Sequence, residues 1–421
     1  PMKFLVPIAS RYGAIAIQFV LVTLVARQLD SESAGTYFFI AGLVLTLYFL
    51  AGFGLPDGLV AAYPRELGAG RAGAAASLLR RGLCYSLVSA LCLPFLLGLG
   101  VLLAFASDTL ALASAAWLLG YCLIFVSAQA LIAMGRVQWG SFVFYSAINF
   151  ALCATTVPYL LFSPQPDLVT TLAINAVAAA SVGVVSTALV LALARKQWKN
   201  APRATTPIRS TWFDGAFMAA GRVIQTAVIW MPVWLSGILL TGTDTAQIGL
   251  ATRLLGVVGA VLAAVRFSIR PQVSKLAAEG QWKRIEALVQ RIALAATLLS
   301  VCALVVAAVG GEPVLAYVFG EEYRPANVLL LILLGASIAE SLGGPVDEVL
   351  KMTGKATLVL RLQLACLLLM AAVGTALAYI GGAAGICAAF TLAFLALYGA
   401  QIAVLYRFRR IAALPFPNRS L

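Results

Sequence analysis

The chain is a succession of apolar runs parted by short polar or charged breaks. Each run has roughly the 20 residues that an α-helix needs to cross the hydrocarbon core of a bilayer. The runs predict spans at about 4–27, 35–62, 82–106, 110–134, 140–162, 168–194, 212–240, 246–269, 287–310, 326–350, 357–380 and 384–406. A membrane barrel would instead alternate apolar and polar positions over about ten residues, because lumen and lipid faces alternate along a strand. The first run lacks the small-residue cleavage site of a secretory signal and is expected to stay as a span.

Twelve spans put both termini on one side, and the basic residues identify that side. Of the 29 Lys and Arg residues, 23 fall in the terminal-side segments, from Lys3 through Arg65, Arg80, Arg136, Arg195, Lys275, Lys283, Lys351 and Lys355 to Arg419. The opposite side holds Arg27 and Arg324 beside Asp30, Glu32, Asp108, Asp167, Asp244, Glu312, Glu321 and Glu322. By the positive-inside rule both termini are expected in the cytoplasm.

The longest connection, Arg195 to Thr211, is basic and carries Pro202 and Pro207, so it reads as a linker between two halves of six spans. The expected bundles are 1–197 and 212–421, joined by 198–211. Ala9-Ser10-Arg11 resembles Ala220-Gly221-Arg222, and Leu78-Leu79-Arg80-Arg81 resembles Leu288-Val289-Gln290-Arg291, at nearly one offset. Together these matches suggest duplication. Six is even, so the halves would be parallel repeats about an axis along the membrane normal, an arrangement that commonly binds substrate between its halves. The connections from Pro64 to Arg81 and from Pro271 to Arg291 mix apolar and basic residues at helical spacing, which fits short helices on the membrane surface or solvated loop helices.

Composition agrees with this layout. Hydrophobic residues make up 62% of the chain and charged residues 11%, too few charges for a water-exposed surface. The net charge of +13 sits in the inter-span clusters and so reports topology, not nucleic-acid binding. All seven cysteines lie inside apolar runs, where they read as small core residues. The chain has no histidine, which removes many metal and general-base arrangements.

A charge at bilayer depth costs at least ~2.5 to 3.5 kcal/mol unless it faces a cavity or a partner, so the deep charges carry the information. Arg11 in span 1 and Arg222 at the matching depth of span 7 are the first candidates for binding an anion, facing each other across the pseudo-axis. Arg253 and Arg266 lie in span 8, and Arg270 shares a helix face with Arg266. Forked guanidinium donors suit phosphate or pyrophosphate. Snorkelling to the headgroups is the other reading of Arg266 and Arg270, and a structural ion pair that of Arg11 or Arg253. Asp57, in Gly54-Leu55-Pro56-Asp57-Gly58, Glu340, and Asp347 with Glu348 after Gly343-Gly344-Pro345 are the deep acids. They either balance the arginines or bind a coupling proton or sodium ion, and both readings stay open. Both Pro segments are expected to interrupt their helices. If the helix continued, Glu340 and Asp347, seven residues apart, would share a face. No cofactor is expected beyond such an ion.

Two six-span halves, the matched Arg11 and Arg222, Phe53-Gly54-Leu55, Arg270-Pro271-Gln272 with Lys275-Leu276, and the Gly320-Glu321-Glu322-Tyr323 turn before Ala326 together resemble the bacterial polysaccharide transporters of the Wzx type. The resemblance covers essentially the whole chain. It implies the fold of the multidrug, oligosaccharidyl-lipid and polysaccharide exporter superfamily: an all-α membrane protein of about twelve spans, with two six-helix bundles forming a V around a central cavity. It also implies a flippase in the bacterial inner membrane. The substrate would be an undecaprenyl-pyrophosphate-linked oligosaccharide, such as an O-antigen or exopolysaccharide repeat, moved from the cytoplasmic to the periplasmic leaflet by alternating access. The implied partners are that lipid-linked oligosaccharide, membrane lipid and polysaccharide assembly proteins. A cation-coupled drug exporter and a lipid II flippase are alternatives within the same superfamily. An organic-cation exporter would favour an acidic, aromatic-lined cavity, whereas the deep charges in spans 1, 7 and 8 are basic. A polysaccharide polymerase or ligase would need a reaction chamber, and the connections opposite the termini are short, so no enzyme is expected. No phosphate-binding glycine loop appears, which argues against direct ATP coupling.

Overall fold

The computed structural model describes residues 2–199, 208–411 and 413–414; within these, the side chains of 2–12, 196–199, 261, 263–268, 270 and 271 are outside the described set. The apolar runs fold as helices α1 (Met2–Gln28), α2 (Ser31–Leu47), α3 (Leu55–Gly68), α4 (Ala72–Phe105), α5 (Asp108–Ala133), α6 (Val137–Ser141), α7 (Ile148–Phe162), α8 (Leu168–Lys199), α9 (Arg209–Leu239), α10 (Gly242–Ala278), α11 (Trp282–Phe319), α12 (Ala326–Gly343), α13 (Val346–Leu350) and α14 (Ala356–Arg409). Among the described residues nine helical stretches are long and apolar enough to cross a membrane.

Several helices combine into one span, and one helix divides into two. A distorted 3-10 stretch, Tyr48–Gly54, joins α2 to α3, and a π-helical stretch, Phe142–Ala147, joins α6 to α7. The long α14 breaks at Gly382, whose φ of 53° and ψ of −134° no helix contains. Residues on either side of the break face each other: Cys366 Sγ reaches the Ala393 carbonyl at 3.5 Å, and a Cβ on Gly385 would collide with the Leu377 carbonyl. The two arms of α14 are therefore an antiparallel hairpin and supply spans 11 and 12.

Helix starts and helix stops follow different chemistry. Several starts carry side-chain N-caps: Asp30 accepts from Ser33 N, Ser107 from Leu110 N and Asp167 from Thr170 N, while Thr241 and Asp244 form a capping box. Each satisfies an amide that the helix itself leaves unpaired. At the turns after α3, α5 and α10 the helices stop at glycines of positive φ, with Gly70 at 75°, Gly135 at 78° and Gly280 at 69°. The next residue's amide reaches back to the carbonyl five positions earlier, as in Arg71 N to Glu66 O, Arg136 N to Leu131 O and Gln281 N to Leu276 O. This is the Schellman arrangement, for which glycine is the natural residue. The Gly70 and Gly280 turns share every bond of the pattern and lie 210 residues apart, close to the offset seen in the sequence.

These turns correct one expectation. The segments 64–81 and 271–291 do not fold as separate surface helices, because α3 runs on to Gly68 and α10 to Ala278, and α4 and α11 begin at Ala72 and Trp282. A three-residue turn is enough to reverse the chain, so the mixed apolar and basic residues are the projecting ends of the spans. Of the basic linker, residues 200–207 lie outside the described set.

By packing, the chain divides into a unit of residues 1–33 and 40–226 and a unit of residues 34–39 and 227–421. In the first, buried hydroxyls and amides join helices: Thr156 donates to Asn175 at 2.6 Å and Ser127 meets Thr187 at 3.0 Å. In the second, Ser300 meets Ser337 at 3.0 Å and Thr391 donates to the Ile332 carbonyl at 2.7 Å. Such bonds matter between apolar helices, where lipid gives no hydrophobic drive to associate.

Candidate functional site

The site in the first unit begins with a break in span 2. Ala51 leaves helical geometry, and Gly52, Phe53 and Gly54 follow with φ of 76°, 48° and 88°. Pro56 then opens α3 within its first two positions, where its missing amide costs no hydrogen bond. Gly54 and Gly58, four apart, lie on one face of α3. A Cβ on Gly54 would strike the Gly215 backbone, and one on Gly58 the Thr211 carbonyl. Glycines spaced in this way let two backbones touch, so α9 lies directly against α3. That contact carries Asp57 into the interior and places Arg222, two turns beyond Gly215, on the face of α9 turned toward it.

Asp57 Oδ1 accepts from Gln129 Nε2 of α5 at 2.7 Å and pairs with Arg222 Nη2 at 3.1 Å. The two partners are unequally exposed. The Asp57 side chain is 1% exposed and that of Arg222 38%. The carboxylate is thus sealed inside while the guanidinium is partly exposed, so the exposed member of the pair is the positive one. Asp57 Oδ2 is buried without a hydrogen-bond partner among the described residues.

Aromatic side chains surround the pair. Arg222 Cζ lies 5.8 Å from the Phe49 ring centroid and 5.9 Å from that of Phe125, distances at which a cation is attracted to the ring face. Phe125 contacts Phe49 at 5.6 Å and Tyr48 at 5.6 Å, and Tyr48 contacts Tyr121 at 5.7 Å and Phe144 at 5.9 Å. Phe144 comes from the π-helical stretch of span 5, whose extra residue per turn re-aims side chains relative to a regular helix. Arg222 meets Asp57 through Nη2 alone, so its remaining N–H donors are available for anion oxygens.

The other predicted residues are placed as follows. Arg253 of α10 lies 4.7 Å over the buried ring of Trp230 in the second unit. Glu340 accepts from Tyr398 Oη at 3.0 Å. Asp347 and Glu348 are both held by Lys351, at 3.0 and 3.4 Å, a partner one helical turn away in sequence. Glu340 and Asp347 do not share a helix face, because Gly344 (φ 56°, ψ −136°) and Pro345 end α12 and start α13. Both Pro segments therefore do interrupt their helices. The side chains of Arg11, Arg266 and Arg270 lie outside the described residues. Of the predicted residues with described side chains, only Arg222 and Asp57 are shown in contact with each other. Gln129 and the aromatic ring set were missed; a glutamine inside the apolar run around Phe125 was the available signal.

Comparison with known proteins bears first on the fold. No family model matches the chain. Over 112 residues it is 30% identical to the probable low-salt glycan biosynthesis flippase Agl15 of Haloferax volcanii, a match covering 27% of this chain and 24% of that protein. The chain thus matches about a quarter of that relative's length. Solved structures match along nearly the whole chain. An inward-facing multidrug resistance MATE family transporter of the MOP superfamily superposes with a TM-score of 0.73 at 13% identity, covering 95% of this chain and 94% of that one. Lipid II flippase MurJ, in an inward closed conformation, gives 0.72 at 12% identity, with 96% and 87% covered. The Vibrio cholerae MATE transporter VcmN gives 0.67 at 15% identity, with 97% and 96% covered. At such identities the likeness concerns the fold, and the chain has the all-helical, multi-span membrane fold of these transporters.

Proposed function

We propose that the chain is a flippase for a lipid-linked oligosaccharide, and that Arg222 binds the anionic group joining lipid to sugar. The observation that carries this reading is the unequal exposure of the central pair: Asp57 is sealed at 1% and Arg222 is open at 38%. An open guanidinium beside the aromatic faces of Phe49 and Phe125 suits a phosphate or pyrophosphate with sugar rings attached. Asp57 then serves charge balance, holding Arg222 in place and offsetting its charge when no substrate is bound. The fold shared with a lipid II flippase, and the partial match to a probable glycan biosynthesis flippase, support the same substrate class.

In this reading the substrate is an undecaprenyl-pyrophosphate-linked repeat unit, carried from the cytoplasmic to the periplasmic leaflet of a bacterial inner membrane. Arg11, Arg253, Arg266 and Arg270 are further candidates for holding the anion, and the prenyl chain stays in lipid. The 23 basic residues on the terminal side support cytoplasmic termini. Glu340 and Asp347, already held by Tyr398 and Lys351, are structural before they are ion-coupling groups.

Binding tests the sign of the site. Purified protein in detergent micelles should bind a fluorescent polyprenyl pyrophosphate and discriminate against a lipophilic organic cation, and Arg222→Gln should weaken the first at least about tenfold, the loss of one charge-assisted contact. Preference for the cation, strengthened by Arg222→Gln, would instead mark a drug exporter that uses Asp57.

A further inference from the structure

A second cationic site lies in the other unit, at the terminal-side ends of α11 and α14, and the flippase reading leaves it without a role. Arg409 Cζ sits 4.0 Å over the ring of Trp282 and 4.5 Å from the ring centroid of Phe408. Lys355 Nζ also lies 4.5 Å from the Phe408 centroid. Two like charges are therefore held on one aromatic ring, and neither can be farther from the other than twice that distance. Among the described residues, neither Lys355 nor Arg409 is shown in an ion pair with a carboxylate. Like charges gathered in this way repel, and among the described residues no anion is shown to offset them.

The rings that hold the cations are themselves anchored. Trp282 packs on a buried apolar cluster containing Ile285, Val289, Val349, Leu350 and Leu405. Beside it, Arg410 takes a left-handed conformation (φ 57°) that ends α14 and turns the chain, leaving its guanidinium 5.6 Å over Tyr406. Amphipathic aromatic rings with basic residues at the ends of spans mark the level of lipid headgroups.

We propose that Lys355 and Arg409 bind the phosphate of an anionic membrane phospholipid, with Trp282 and Phe408 positioning the two cations. The occupant is a resident lipid of the terminal-side leaflet, not the transported molecule. Phosphate is the anion that both cations can share, and its acyl chains extend along the apolar sides of α11 and α14. Each basic residue near a membrane surface is worth about fivefold in affinity for anionic lipid, and the pair roughly thirtyfold.

Native mass spectrometry of the full chain, released from micelles carrying equal phosphatidylglycerol and phosphatidylcholine, tests this. Wild type should retain phosphatidylglycerol preferentially, and Lys355→Gln with Arg409→Gln should remove roughly thirtyfold of that preference. Arg136→Gln removes a single basic residue from the same side and should cost no more than about fivefold, against roughly thirtyfold for the pair, which separates a site from general charge. Unaltered elution on size exclusion confirms that the double variant is folded, and Lys355→Arg with Arg409→Lys should keep the preference. An unchanged preference in the folded double variant, or an equal loss in Arg136→Gln, overturns the proposal. So does a double variant that keeps phosphatidylglycerol and loses only polyprenyl pyrophosphate, because the site would then belong to the substrate.

Discussion

Arg222→Ala removes the charge that neutralises Asp57. In the intact protein that carboxylate is 1% exposed, and its two contacts, Gln129 and Arg222, both fall on Oδ1. Truncating the arginine leaves a buried carboxylate with a single neutral amide. Breaking a fully buried ion pair costs about 3 to 5 kcal/mol because the surviving charge is stranded. Arg222 is 38% exposed, so water already screens part of the attraction, and the expected cost falls to roughly 2 kcal/mol. The reverse truncation should be milder. Asp57→Asn leaves the stranded charge on the exposed partner, which water can solvate, and the asparagine oxygen still accepts from Gln129. Combining the two changes should therefore recover most of the stability that Arg222→Ala loses. Unfolding in detergent micelles, followed by tryptophan fluorescence against temperature or a denaturing detergent, gives the four corners of the cycle. If Arg222→Ala and the double variant unfold together, or if Asp57→Asn is the more damaging single change, then burial of Asp57 does not govern the pair.

Other consequences follow from the same geometry. Gly215→Leu should separate α9 from α3 and, by overpacking a backbone contact, cost about 1 to 3 kcal/mol in the same unfolding assay while also lowering affinity for an anionic lipid. Lys351→Met should destabilise more than Lys275→Met, because Lys351 holds two buried carboxylates whereas Lys275 sits at an exposed pair. Asp30→Ala should cost about 1 kcal/mol at neutral pH through the lost N-cap of α2. Hydrogen bonds from Ser33 hold the Asp30 carboxyl below the ordinary carboxylate value. Its contribution is therefore fully present above the unfolded-state pKa and lost as pH falls through the lowered folded one, so wild type and variant should converge in acid.

Much of the fold was legible because helix length in a bilayer is fixed by thickness, and the apolar runs report it directly. The interruptions near Pro56 and Pro345 were legible as well, although the first falls at 51–54, just ahead of the proline that signalled it. The ends of the spans were less so. A Schellman turn needs only a glycine and its flanking residues, so a basic, half-apolar stretch such as 64–81 looks like an independent helix when it is the tip of two. In the site, Arg222 and Asp57 stood out because a charge contrasts with its apolar surroundings. Phe49, Phe125 and Tyr48 lack that contrast; an aromatic in a span reads as lipid-facing or core, and only packing shows which rings meet a guanidinium. Asp347 illustrates the opposite error: its partner, Lys351, was one turn away, but a lysine at the end of a span is counted as topology before it is considered as a ligand.

The most direct test of the central claim is transfer between leaflets. Liposomes containing the purified chain and a fluorescent polyprenyl-pyrophosphate oligosaccharide report it when a membrane-impermeant quencher is added outside. The account predicts transfer by the wild type and at least about a tenfold slower rate in Arg222→Gln, the loss of one charge-assisted contact. A wild type that leaves this lipid in place while moving an organic cation across the same membrane would contradict it.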